Sequence, residues 1–301
     1  MKTFTSTLRI GACLLFALAL SLTANAQIFV ANFGLGTISK FNLDGSLHTA
    51  NFITGLSNPH SIAVSGGFLY VANEGSGTIG KYTTAGVPVA VALVSGLNGP
   101  RGIAVSGTDL YVANTGAGTV VKFTTAGLSQ VFGSIVGGAS VIEAVAVSGT
   151  DLYVAFRGNS PHIGKYTTAG VALNASFIPF VAGVQCLGIA VEGTDLYLLI
   201  NGSPGRVEKY TTGGTLINGL LVTGVTAVGG IAVHGSELFV SAAGTVPNAG
   251  TIGQYGTAGS VLNATLVSGL NAPHGIAVQG CDFIYDHYCP VKVFMTTISA
   301  L

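Results

Sequence analysis

Hydrophobic positions along this chain fall in short runs that recur at a nearly fixed spacing. In the copy beginning at Ser61, Ile62-Ala63-Val64 is a β-branched run closed by Ser65-Gly66-Gly67, a sequence suited to the positive φ of a tight hairpin. Leu69-Tyr70-Val71-Ala72 returns antiparallel to it, and Asn73-Glu74-Gly75-Ser76-Gly77 forms a second turn. Thr78-Ile79-Gly80-Lys81-Tyr82 is a third strand, Thr83-Thr84-Ala85-Gly86 a third turn, and Val89 to Val94 a looser outer strand. Gly96-Leu97-Asn98-Gly99-Pro100 then crosses to the next copy, where proline is tolerated because no ladder partner is needed. The mature sequence shows no helical periodicity.

The inner run recurs at Ile62, Ile103, Val145, Ile189, Ile231 and Ile276, in steps of 41, 42, 44, 42 and 45 residues. A period of this length built from short strands and glycine turns predicts an all-β fold, a β-propeller with one blade per repeat. The second strand also occurs six times, first at Ile28-Phe29-Val30-Ala31-Asn32 and then centred on Val71, Val112, Val154, Leu198 and Val240. The first copy lacks an inner strand ahead of it, and the last inner strand lacks a blade behind it. Pairing Ile276-Ala277-Val278 with residues 27–54 therefore closes a ring of six blades and leaves no open edge. The alternative is seven blades, with Asp282 to Tyr285 and Val291 to Phe294 as strands of another blade; that tail fits the consensus poorly.

Lys2 and Arg9, the apolar run Ile10 to Leu22 and Ala24-Asn25-Ala26 mark residues 1–26 as a secretory signal peptide. The propeller is expected over 27–280 and an off-pattern tail over 281–301. Without Lys2 and Arg9 the chain carries nine Lys/Arg against eleven Asp/Glu, which gives no basic footprint for nucleic acid. No apolar stretch after residue 26 approaches the roughly 18 residues of a membrane-spanning helix. A membrane barrel would need strands of about ten alternating residues, whereas runs such as Leu152-Tyr153-Val154-Ala155-Phe156 are short and apolar throughout. These features predict a secreted or periplasmic monomer. Of the cysteines outside the leader, Cys186 reads as a buried small apolar side chain and Cys281–Cys289 as the most plausible bridge. Asn174-Ala175-Ser176 and Asn263-Ala264-Thr265 match glycosylation sequons but share a repeat position, which favours a turn role.

Charges that recur at one repeat position belong to the scaffold. Asp109, Asp151, Asp195, Glu237 and Asp282 fall at a hairpin, where a carboxylate bonds local backbone. Lys40, Lys81, Lys122, Lys165 and Lys209 fall in the third strand, with stems expected on apolar surface and ammonium groups in water. His162, His234, Arg157, Arg206 and Glu208 stand singly and are expected at solvated surface.

One irregular set remains. Two residues before the inner run stand His60, Arg101, Glu143, Leu187, Gly229 and His274. Ring closure makes His274, His60, Arg101 and Glu143 neighbours on four consecutive blades at one mouth of the channel. Asn32, Asn73, Asn114 and Glu74, in the loop after the second strand, are expected on the same face. Such a set suits an anionic or polyol ligand, or general acid–base chemistry.

Gly-Leu-Asn-Gly-Pro-Arg-Gly-Ile-Ala-Val-Ser-Gly-Thr-Asp-Leu-Tyr-Val-Ala-Asn at 96–114 resembles the NHL-type six-bladed propellers, and more narrowly exported bacterial propellers that often end in a PEP-CTERM tail. Residues 281–301 lack the Pro-Glu-Pro motif of that tail. Ala272-Pro273-His274-Gly275-Ile276 is similar to the blade openings of virginiamycin B lyase-like propellers, in which a channel histidine and glutamate serve a metal-assisted elimination. With no nucleophile–base pair, carboxylate pair or metal motif left once the repeat is subtracted, the expectation is a binding module for a small molecule, glycan or protein across the channel face, with no cofactor. The alternative is a metal-assisted lyase or lactonase-like hydrolase using His60, His274 and Glu143 around a divalent Mg or Ca ion.

Overall fold

A computed structural model describes residues 26–129, 141–202, 204–226 and 228–280. They form six antiparallel sheets, each built outward from an inner strand, as the repeat predicts. Blade 2 shows the pattern: Pro59–Ser65, Phe68–Asn73, Thr78–Thr83 and Pro88–Val94. Blade 3 contains Pro100–Ser106, Asp109–Asn114 and Thr119–Thr124. Blades 4, 5 and 6 begin with the inner strands Val141–Ser148, Gln185–Glu192 and Val228–His234, and each has four strands.

Blade 1 closes the ring. Its inner strand is Pro273–Gln279, paired antiparallel with Gln27–Asn32, followed by Thr37–Asn42 and Leu47–Ile53. Val30 lies opposite Ile276 in that pairing, so both ends of the described chain share one sheet. The six inner strands contact one another in cyclic order. The described residues thus hold six blades, and the segments proposed for a seventh lie outside them, as do the signal-peptide residues 1–25 and the Cys281–Cys289 pair.

The core is six interfaces between blades. Each buried cluster draws on two neighbours, and blade 2 shows why its second strand is apolar on both faces. Leu69 and Val71 pack with Phe29 and Ile38 of blade 1, while Tyr70 and Ala72 pack with Ile103 and Val112 of blade 3. Alternate side chains leave a strand on opposite sides, so one strand serves two interfaces. At the axis the inner strands come very close. A Cβ on Gly275 would sit 2.6 Å from Ser61 Cα, and one on Gly102 would sit 2.8 Å from Ala144 Cα.

The recurrent lysines are ties between blades, which corrects the solvated placement expected from sequence. Lys40, Lys81, Lys165 and Lys209 donate to the carbonyls of Thr84, Thr125, Thr212 and Thr257, each in the turn of the following blade, at 2.9–3.4 Å. The hairpin aspartates are the other half of the device. Asp109, Asp151 and Asp195 each take the ammonium of Lys122, Lys165 or Lys209 at 2.8 Å rather than serving only local backbone. In blade 6, Gln254 replaces the lysine and donates to Glu237 at 3.0 Å; Asp282 lies outside the described residues.

Arg206 and Glu208 also depart from expectation. Glu208 is buried, accepting from Arg206 Nε at 2.8 Å and from the Tyr210 hydroxyl at 2.8 Å. His162 stacks on Phe156 instead of standing free. Asn174 and Asn263 lie in outer strands rather than in the turns expected of both sequons, at register shifts where each accepts from the backbone N–H two residues on, of Ser176 and Thr265. Cys186 is fully buried and free, and burial pushes its thiol far up. At the blade end opposite the inner-strand starts, the first or second residue after each turn glycine is a large apolar one, Leu47, Val87, Leu128, Val171, Leu216 and Val261, each more than half exposed. This rim accounts for part of the chain's high mean hydropathy.

Candidate functional site

The position two before the inner run is a β-bulge. In blade 2 the ladder pairs Pro59 with Asn73 and then Ser61 with Ala72, skipping His60. Glu143 and Leu187 are skipped in the same way in blades 4 and 5. In blades 1, 3 and 6 the register jumps over His274, Arg101 and Gly229 together with the glycine that follows each. A bulge bends its strand and re-aims the extra side chain. Six bulges therefore free one residue per blade from the ladder at the same end of the channel, while Ile62, Ile103, Val145, Ile189, Ile231 and Ile276 line the channel below.

The structure brings His274, His60, Arg101 and Glu143 around one cavity of about 260 Å³, together with Glu74. It does not bring the three asparagines there. Asn32 is buried and donates to Thr37 and Ser39, Asn73 is buried and donates to Thr78, and Asn114 accepts the backbone N–H of Asn98. Their carboxamides brace the turn after the second strand, and the Oδ1 atoms of Asn32 and Asn73 have no hydrogen-bond partner among the described residues.

Sequence reasoning missed Phe33, Arg157, Gln185 and Asn201, all of which line the cavity. The signal was present. The residue leaving the second strand reads Phe33, Glu74, Thr115, Arg157, Asn201 and Ala243 in successive blades, a second irregular column beside the bulge column. Arg157, expected as isolated surface, is instead part of the central ion-pair network.

Glu143 is the hub of that network and is only 4% exposed. Arg101 Nη1 donates to both of its oxygens at 3.0 and 2.9 Å, and Arg157 Nε lies 3.1 Å from Oε2. Arg101 also donates through Nε and Nη2 to Glu74 Oε1, at 3.0 and 2.9 Å. Two guanidiniums and two carboxylates thus neutralise one another. Burial raises the Glu143 carboxyl above its ordinary value against the pull of Arg101 and Arg157. Burial also works against the Arg101 charge, but Glu143 and Glu74 outweigh it and raise that group. Guanidinium bonds are stronger to the ionised carboxylate, so the two arginines oppose the effect of burial.

The opposite wall is made of rings. Phe33 stacks on His274 with centroids 4.6 Å apart and planes 15° from parallel, and His60 meets His274 edge-on at 4.8 Å. Burial drives the His60 imidazole well below its ordinary value, and the positive charges of His274, Arg101 and Arg157 add to the effect. Burial also lowers His274, with Glu74 opposing and Arg101 assisting. Both imidazoles are neutral at neutral pH, so the 3.7 Å approach of His60 Nε2 to Glu143 is a dipolar contact rather than an ion pair. Among the described residues, no hydrogen-bond partner meets the ring nitrogens of His274. Nor does any group of three or more His, Cys, Asp or Glu among them come together as a metal site.

Comparisons with known proteins agree on the architecture. A family model described as the LVIVD repeat matches residues 58–78, the inner and second strands of blade 2. A chain of the crystal structure of a nidogen/laminin complex superposes with a TM-score of 0.69 at 13% identity, covering 84% of this chain and 98% of that one. A chain of Kuenenia stuttgartiensis hydrazine synthase superposes with a TM-score of 0.52 at 16% identity, covering 70% and 69%. No curated protein matches the sequence.

Proposed function

From the six-bladed propeller that both the repeat and its structural relatives describe, we propose that this protein is an exported, non-enzymatic binding module whose site is the channel mouth. One observation carries the reading. The two repeat positions that escape the scaffold pattern converge on a single cavity and fill it with non-equivalent polar and aromatic side chains. A scaffold needs no such variety, whereas a concave site with a few convergent polar groups is how ligands are held. Residues 1–26 supply the export signal in this proposal.

The donor set favours binding over metal-assisted elimination or lactone hydrolysis. Glu143, the carboxylate such chemistry would draw on, has both oxygens held by guanidiniums. Glu74, the other carboxylate at the mouth, is paired through Oε1 with Arg101.

Native mass spectrometry of the mature protein with pooled neutral, acidic and basic metabolites tests the proposal, alongside thermal unfolding with and without Mg²⁺ and Ca²⁺. A retained ligand that is lost in the His60→Gln/His274→Gln protein is the expected result. A melting temperature that rises with metal concentration, as mass action requires of a metal-binding native state, would overturn the non-enzymatic reading. Equal retention by wild type and variant would remove the site from the mouth.

A further inference from the structure

We infer that the mouth cavity takes an uncharged polyhydroxyl ligand, a sugar ring free in solution or at the end of a glycan chain. This inference rests on the binding reading above and names the ligand class for the same site.

Three features converge on it. The first is charge. Arg101 and Arg157 are matched by Glu74 and Glu143, and Arg101 spends Nε, Nη1 and Nη2 on those carboxylates. An incoming anion or cation would meet a network that is neutral overall, in which each guanidinium already faces a carboxylate and each carboxylate a guanidinium. Drawing one member of a buried pair away leaves its partner's charge uncompensated, which is costly. The anionic ligands suggested by composition alone are therefore disfavoured.

The second feature is the character of the two walls. Phe33, His60 and His274 form an aromatic side, and the ion-paired groups form a polar side. A pyranose has the matching division, with a C–H face that packs on rings and hydroxyls around its edge. A neutral imidazole offers one donor and one acceptor nitrogen, and the amides lining the cavity, Gln185 and Asn201, also offer both. Hydroxyls, which donate and accept, satisfy such a mixed set; a purely accepting anion does not.

The third feature is size. The cavity holds about 260 Å³, just below the roughly 300–1,000 Å³ of pockets that enclose drug-sized ligands. It accommodates one ring or a chain end, while the continuation of a chain would lie outside the mouth.

Isothermal titration calorimetry with neutral methyl glycosides and short oligosaccharides tests the inference. The matched uronic acids and amino sugars are titrated in parallel, and an array of surface-linked glycans separates chain ends from free sugars. At least one neutral saccharide should bind, with its uronate and amino counterparts at least tenfold weaker. Phe33→Ala should weaken it at least tenfold, and so should the gentler His274→Gln, with melting temperatures recorded for both. Stronger binding of charged than of neutral sugars, or saccharide binding that survives both substitutions, overturns the inference. Retention of a non-carbohydrate ligand at the mouth, with no saccharide bound, overturns the ligand class and leaves the binding function standing. If neither a saccharide nor any pooled metabolite is retained by folded protein, both fail.

Discussion

Phe33 and His274 stack face to face, 4.6 Å apart, although the chain builds five further blades between them. Phe33 leaves the first strand of the described chain and His274 sits in the bulge of the last. The aromatic wall of the candidate site is therefore assembled only when the ring closes. Fold closure and site formation are one event in blade 1.

Closure thus predicts a sharp difference between two truncations. A chain lacking 273–301 has no inner strand for blade 1 and bares the edge of Gln27–Asn32, which pairs with that strand in the intact protein. It should give little soluble protein and no cooperative melting. A chain lacking only 281–301 keeps every residue of the closing strand and should melt close to the full chain. Similar yield and melting temperature for the two would mean that Pro273–Gln279 does not close the ring.

The lysine ties predict a stability effect where sequence reasoning expected none. Lys165 donates to Thr212 of the next blade at 3.0 Å and pairs with Asp151 at 2.8 Å. Lys165→Ala leaves that carbonyl without this donor and Asp151 without its cation, at about 1–3 kcal/mol by chemical denaturation. Ligand retention at the distant mouth should be unchanged. A loss below about 0.5 kcal/mol, the usual scale of surface changes, would return the lysines to solvent.

The same residues show what was legible in the sequence. Strand order, hairpin positions, blade number and closure all follow from one module and its period, because they depend on local turn chemistry and alternation. The lysine ties do not, since the acceptor belongs to the turn of the next blade and its approach depends on how blades pack. The bulge column was legible because His60, Arg101 and Glu143 interrupt a pattern. Its partner column was not recognised as one, because only Glu74 of it was singled out and Arg157 was read as isolated surface. The asparagines erred the other way. Asn32 and Asn73 point their amide groups at Thr37, Ser39 and Thr78 in the adjoining strand, so a repeated polar residue again proved to be scaffold.

The network around Glu143 predicts strong non-additivity. Arg101→Ala removes the fork that holds a buried carboxylate, and although Arg157 remains, the cost should approach about 3 kcal/mol. Glu143→Leu likewise strands Arg101 and Arg157. The double substitution Arg101→Ala/Glu143→Leu removes both halves of the pair and should cost less than the sum of the two single changes. A double-mutant cycle by denaturant unfolding reads the coupling. Additive losses would show that the two side chains do not stabilise each other.

Acid should destabilise the native ring through its two neutral histidines. Burial depresses His60 well below its ordinary value and depresses His274 as well. Between the ordinary unfolded value near 6.5 and the lower folded values, the unfolded chain binds more protons than the native one. Stability therefore rises with pH through that window; it is complete above about 6.5 and is lost as pH falls through the folded values. The groups facing His60 set the size of the effect. His274, Arg101 and Arg157 resist its protonation, and Phe33 and Glu143 adjoin it. Glu143 acts in the opposite sense above about 4.5, because burial raises its carboxyl and the native state there holds more proton than the unfolded one. Comparing wild type with His60→Gln/His274→Gln leaves the Glu143 contribution in both proteins and isolates the imidazoles. The variant should lose less stability than wild type between pH 7 and pH 5, measured as denaturant midpoints at constant slope. Parallel pH curves for the two would place the imidazoles in solvent, ionising as freely in the native state as in the unfolded one.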